Sequence, residues 1–165
     1  MAWAKNGTPD TLSGTADVMT ISDLTAYKFN QFLVHTIGDA PTVTSFDHKY
    51  TIDNNSATDY AYRSSTNGAA DATGTSKQFI LTTNHDTTDL EIIYSINIDS
   101  EEKLFIISSI EQGTAGASSA PTRRELVAKE DATTNTAQYT RLDLNNSVAS
   151  VSFDTGSNMS VLGTD

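Results

Sequence analysis

The residue string with the most chemical promise is Phe153-Asp154-Thr155-Gly156-Ser157. A carboxylate on such a turn can share a proton with a second carboxylate and activate a water molecule, the arrangement by which paired aspartates hydrolyse an amide. A second set, Asp53, Asn55 and Asp59, alternates hard oxygen donors of the kind calcium takes from flexible turns. The three histidines, His35, His48 and His85, are spread along the chain, and none has the paired helical spacing of a zinc hydrolase. No G-x-S-x-G string nominates a nucleophilic serine, and neither form of glycine-rich phosphate loop is present. Without cysteine there is no disulfide, thiolate metal site or thiol nucleophile.

Each of these features has a plainer reading. The Asp154 string resembles the aspartic-protease signature, but it occurs once, so that chemistry needs a second copy of the chain. Few residues follow it from which a substrate flap and the later strands of such a cleft could be built. Asp-Thr-Gly-Ser is also good turn chemistry, and a turn between Val151–Phe153 and Met159–Leu162 is the expectation. The Asp53 to Asp59 stretch lacks the bend glycine and the bidentate glutamate of a calcium loop, which leaves a solvated, Asx-rich hairpin. His35 and His48 fall within strand patterns as hydrogen-bonded sheet residues, and His85-Asp86 with Asp89 reads as a turn before the next strand. No catalytic residue, metal or cofactor is expected.

The elements that must position these residues are strands. Period-two alternation is clearest in Leu90 to Asp99, where Leu90, Ile92, Tyr94, Ile96 and Ile98 share one face of a half-buried strand. Phe46, His48, Tyr50 and Ile52 repeat the pattern, with Asp47, Lys49 and Thr51 opposite. Phe29 to Val34 and Leu104 to Ile107 are apolar on both faces, as central strands are. Shorter candidates at Val18–Ile21, Tyr60–Arg63, Gln78–Thr82, Glu125–Lys129, Gln138–Leu144, Val148–Phe153 and Met159–Leu162 bring the count to about ten strands. Ser22 to Lys28 offers one short capped helical turn. The expectation is an all-β fold, a single antiparallel β-sandwich, jelly-roll-like, over residues 18–165, with an extended N-terminal arm over residues 1–17. Ser64 to Lys77 and Gln112 to Pro121 are expected to be long loops.

Composition bounds the partners. Ten basic against twenty-one acidic residues give a net charge of −11 and a pI near 4.4, which disfavours nucleic acid and anionic lipid. No apolar run approaches the ~20 residues of a membrane span, and the opening residues lack the apolar stretch of a secretory signal, so a soluble product made in the cytoplasm is expected. Trp3, on a polar arm, is a plausible anchor at an interface. Arg123 and Arg124, basic residues in an acidic chain, are candidates to pair across a subunit interface with acidic turns such as Glu101-Glu102. Tyr60 and Tyr62, beside polar loops, are candidates to stack on a sugar ring.

Several stretches, taken together, carry a likeness. They are Trp3 to Leu12, Tyr60-Ala61-Tyr62-Arg63, Ile96-Asn97-Ile98, Glu102-Lys103-Leu104, Gly113 to Ala117 and Phe153 to Asp165. In these the chain resembles small β-sandwich virion proteins of phages, especially marine ones, and of related viruses. The resemblance implies a structural role on the virion and carries over no site residue. The expected function is therefore non-enzymatic: a capsid decoration, vertex or fibre component, located on the virion, assembling with itself as a trimer or pentamer and with other virion proteins. Two alternatives stand beside it. One is a carbohydrate- or receptor-binding tip that takes a host glycan; the other is a cell-surface filament subunit.

Overall fold

The computed structural model describes residues 2–39, 46–55, 57–76, 78–83, 88–112, 117, 120–131, 136–146, 148 and 151–165, with residues 82 and 83 by backbone alone. His85-Asp86 and the Gly113 to Gly116 stretch lie outside the described residues. Two antiparallel sheets form the fold. The strands are β1 (Ala4–Lys5), β2 (Asp10–Thr11), β3 (Val18–Ile21), β4 (Phe29–Ile37), β5 (Phe46–Ile52), β6 (Tyr60–Thr66) and β7 (Ala72–Ser76). They continue with β8 (Phe79–Thr83), β9 (Thr88–Ile96), β10 (Lys103–Glu111), β11 (Thr122–Glu130), β12 (Leu142–Asn145) and β13 (Asn158–Thr164). The larger sheet runs β1-β13-β4-β9-β10-β11-β6-β7, with β2 also paired to β13; the smaller runs β3-β12-β5-β8.

The aromatic residues of alternating strands meet between the sheets, as the two inner faces of a sandwich require. Tyr50 of the smaller sheet stacks on Phe79 at 5.3 Å, Phe79 on Phe105 of the larger sheet at 4.8 Å, and Tyr139 lies 6.0 Å beyond Phe105. Phe46 and Phe153 continue the packing edge-on at 4.9 Å. The two strands expected to be central are so: β4 lies between β13 and β9, and β10 between β9 and β11.

Three local expectations are corrected. Ser22 to Lys28 forms no helix, because its backbone groups are engaged elsewhere: Asn6 Oδ1 accepts from Thr25 N at 2.7 Å, and Leu24 N donates to Thr140 O at 3.0 Å. The Ser64 to Lys77 stretch is largely the β6–β7 hairpin, not a loop. Its turn is closed by Ala69 N donating to Thr66 O at 2.9 Å, with Asn67 and Gly68 at φ of 51° and 76°, the left-handed conformations a tight hairpin turn asks for. Of the expected strand Val148 to Phe153, the described residues 148 and 151–153 lie in none: Asn146 Oδ1 accepts from Val148 N at 3.0 Å and Nδ2 donates to Val151 O. Phe153 makes only isolated bridges to Ala16 and Gly38.

The N-terminal residues run along β13. Ala4 pairs with Gly163 and Asp10 with Met159, while Asn6 is buried and its side chain donates to Asn30 Oδ1 at 2.8 Å.

Candidate interaction surface

A strand of period two has two faces, and which of them turns inward depends on what the opposing sheet offers. In β9 the inward residues are Asp89, Glu91, Ile93 and Ser95, and the outward ones are Leu90, Ile92, Tyr94 and Ile96. The apolar stripe expected to be the buried half of this strand therefore faces away from the core. β10 behaves the same way: Lys103, Ser109 and Glu111 turn inward with Phe105 and Ile107, and Leu104, Ile106 and Ile110 turn out. Leu90 and Tyr94 are each 47% exposed, Ile106 56% and Ile110 54%.

Strand register joins these residues into one surface. Leu162 of β13 opposes Gln31, which opposes Tyr94, then Ile106, then Val127 across five strands. A parallel row carries Phe29, Ile96 and Leu104. A third places Leu33 beside Ile92, and a fourth His35 beside Leu90 and Ile110. No outward position of β4, β9 or β10 holds Asp, Glu, Lys or Arg. Trp3, Phe29, Tyr94, Leu104, Ile106 and Val127 border a groove of about 790 Å3 at one end of this face. Monomeric proteins seldom expose apolar patches beyond a few hundred Å2, and larger ones mark places of contact.

Charge returns only at the border. On β11 and β6 the outward Arg123, Glu125, Lys129 and Arg63 edge the apolar surface. Arg63 pairs with Asp71 at 2.9 Å, Arg123 with Glu125 at 3.8 Å and Lys129 with Glu102 at 2.6 Å. The outward face of the smaller sheet is different in kind. There Asp47, Lys49, Thr51, Thr20 and Asp143 lie side by side, with Thr20 Oγ1 donating to Asp143 at 2.6 Å and Arg141 pairing with Asp143 at 2.7 Å.

The polar residues displaced inward form a second constellation. Glu91 accepts from Tyr50 OH at 2.6 Å and is bonded to His48 Nδ1, while Thr36 Oγ1 lies 3.4 Å and Asp89 3.9 Å from His48 Nε2. Burial opposes the charged imidazole, but Glu91, Asp89 and Glu111 together outweigh it, and the His48 pKa is raised. Burial, reinforced by Glu91, pushes the Tyr50 phenol well above its ordinary value. All of these side chains are at most 1% exposed, and the group acts as a clamp between β5 and β9. Nearby, Arg124 holds Glu111 at 3.0 Å and donates to Thr66 Oγ1 at 3.1 Å.

These placements sort the candidate residues. Trp3 lies on the outer apolar surface, 47% exposed. Arg123 is exposed at its border. Alternation along β11 turns Arg124 the other way, and it pairs with Glu111 of its own chain. Tyr60 is 1% exposed, its hydroxyl accepting from Ile52 N at 3.0 Å, so its ring is core and unavailable to a sugar. Tyr62 lies half-buried over Gly74, beside a small cleft with Ser64 and Arg124. Asp53, Asn55 and Asp59 form an Asx-rich turn: Asn55 donates to Asp59 at 3.1 Å and Glu130 at 2.9 Å, and Asp53 accepts from Thr140 N at 2.9 Å. Among the described residues no cluster of acidic and histidine side chains has metal-binding geometry. Asp154 to Ser157 is a turn, with Gly156 at φ 90°. Sequence reasoning did not nominate the outward faces of β4, β9 and β10 as a site, although their alternation was visible.

No family model matches the chain, and neither a curated protein nor a solved structure matches it.

Proposed function

We propose that this chain is a structural protein that works by assembly rather than by chemistry, and that its setting is the virion, as a capsid decoration, vertex or fibre component. The observation that carries the assembly part is the apolar outer face of the larger sheet, with charged and polar residues turned inward beneath it. A chain that spends its strand alternation this way is far better suited to a covered position than to life as an isolated monomer. The virion setting rests on the sequence resemblance. The acidic, polar outer face of the smaller sheet fits an outward-facing position and a poor affinity for packaged nucleic acid.

The test is the mass of the purified protein by light scattering on a sizing column, followed by co-sedimentation with assembled capsids. A discrete oligomer supports the reading. A monomer at every concentration, with no retention on capsids, overturns it.

A further inference from the structure

The geometry points to a second copy of this chain as the occupant of the apolar face, the two larger sheets packing outer face to outer face about a two-fold axis. This rests on the assembly reading above and names its partner.

Area is the first argument. With side chains of roughly 150–250 Å2 for the aromatic members, the exposed fractions on this face leave on the order of 800 Å2 of apolar surface open, which is the share one partner contributes to a standard interface. Shape is the second. The open residues Leu33, Leu90 and Ile110 do not line the groove beside Trp3, so a small apolar ligand filling that groove would leave them bare. A second sheet, packing at the usual spacing of about 10 Å, covers all of them at once.

Charge is the third. Two chains of net charge −11 repel, and the outward positions of β4, β9 and β10 let them meet without opposing carboxylates. On its β11–β6 side the border carries Arg63, Arg123 and Lys129, each beside an acidic partner, a mixed-sign edge of the kind a self-complementary rim needs, and on the β1 side it carries Lys5 opposite Leu162. Three of these four cations sit beside a carboxylate, which argues against an anionic lipid surface, since that calls for a cluster of cations without one. A two-fold contact of this kind makes an even-numbered assembly: a dimer, or two rings joined face to face.

The experiment uses the full chain. Sedimentation gives the oligomeric state of the wild type, of Ile106→Glu and of Val127→Lys, with circular dichroism and melting to show that each variant is folded. Because the chain has no cysteine, Ser108→Cys on the outer face of β10 and Val18→Cys on the smaller sheet add one thiol each, and maleimide labelling reports whether that thiol is covered. The expected result is an even-numbered oligomer whose dissociation constant rises at least about a hundredfold in the charged variants, the effect of burying an unpaired charge. Ser108→Cys should label slowly and Val18→Cys fast. An oligomer that survives both charged variants, with Ser108→Cys labelling fast, overturns this inference and leaves assembly standing through another surface. A wild-type monomer with Ser108→Cys open at every concentration overturns both. The labelling result needs neither charged variant to fold.

Discussion

Glu91 is fully buried while Leu90, its neighbour in the chain, is 47% exposed. Alternation turns one toward His48 and Tyr50 and the other away from the molecule. A strand that buries a carboxylate and exposes a leucine defies the usual partition, and both residues have to be accounted for. Glu91 is answered inside the chain by two hydrogen bonds. Leu90 is not, and the difference divides the substitutions at this strand into two classes.

Replacing Leu90 or Tyr94 by threonine removes apolar area from the outer face without opening a cavity. At concentrations where the chain is monomeric its unfolding free energy should change by no more than about 0.5 kcal/mol, while at higher concentration the apparent mass falls. Ile93→Ala, one position away and fully buried, should cost about 2–4 kcal/mol in denaturant unfolding.

The pair Arg124–Glu111, with its carboxylate fully buried, and the exposed pair Arg63–Asp71 form a matched contrast. Arg124→Ala strands a fully buried glutamate and should destabilise by about 3–5 kcal/mol, with part of the loss recovered by adding Glu111→Gln. Arg63→Ala should cost about 0–1 kcal/mol. Urea unfolding of the three variants checks this.

His48 sets a pH dependence. Its pKa is raised in the folded protein above the ordinary 6.5, so the folded state holds the proton more tightly than the unfolded chain does. The stability this contributes is complete below about pH 6.5 and is lost as pH rises through the folded value. Glu91 and Asp89 of β9 and Glu111 of β10 face the ring, with Arg124 beyond Glu111. Melting temperature measured from pH 6 upward should fall more steeply in the wild type than in His48→Gln. Equal slopes would show that the imidazole does not carry this effect.

At the edge strand, Trp3→Ala and removal of residues 1–10 should behave differently. The tryptophan is half-exposed on the outer face, so its loss should weaken assembly and leave the melting of the dilute monomer nearly unchanged. Removing the whole segment also takes away Asn6 and the pairing of β1 and β2 to β13, so it should lower both. Sizing and thermal melting on the same samples separate the two effects.

Gly163 lies directly against Tyr27: a Cβ there would come within 2.3 Å of the ring. Gly163→Ala should cost about 1–3 kcal/mol by displacing that ring, read from the denaturation midpoint.

Much of the fold was legible because period two is a local property. Phe46, His48, Tyr50 and Ile52 do face the core together, and β4 and β10 are central, as their two-sided apolarity indicates. What alternation cannot reveal is which face turns inward. Leu90 to Ile96 reads as a buried stripe until the His48 and Tyr50 side chains of the other sheet are seen to require Glu91. The same blindness affects adjacent residues: Arg123 and Arg124 read as two candidates for one interface, yet on a strand they must part. Tyr60 and Tyr62 share a face, but Tyr60 lies opposite Glu130 over the core and Tyr62 nearer the hairpin edge. Strand order stayed out of reach because it is decided by pairings between residues far apart in the chain.

One such pairing can be completed only late in synthesis. β13 lies between β1 and β4, so residues 158–164 hold together segments made much earlier. At ~5–20 residues per second, roughly ten to thirty seconds separate the making of β1 from that of β13. From the making of β4 until β13 follows, the edge of β4 has no neighbour on that side, and the nascent chain is open to rescue by a chaperone or loss to aggregation.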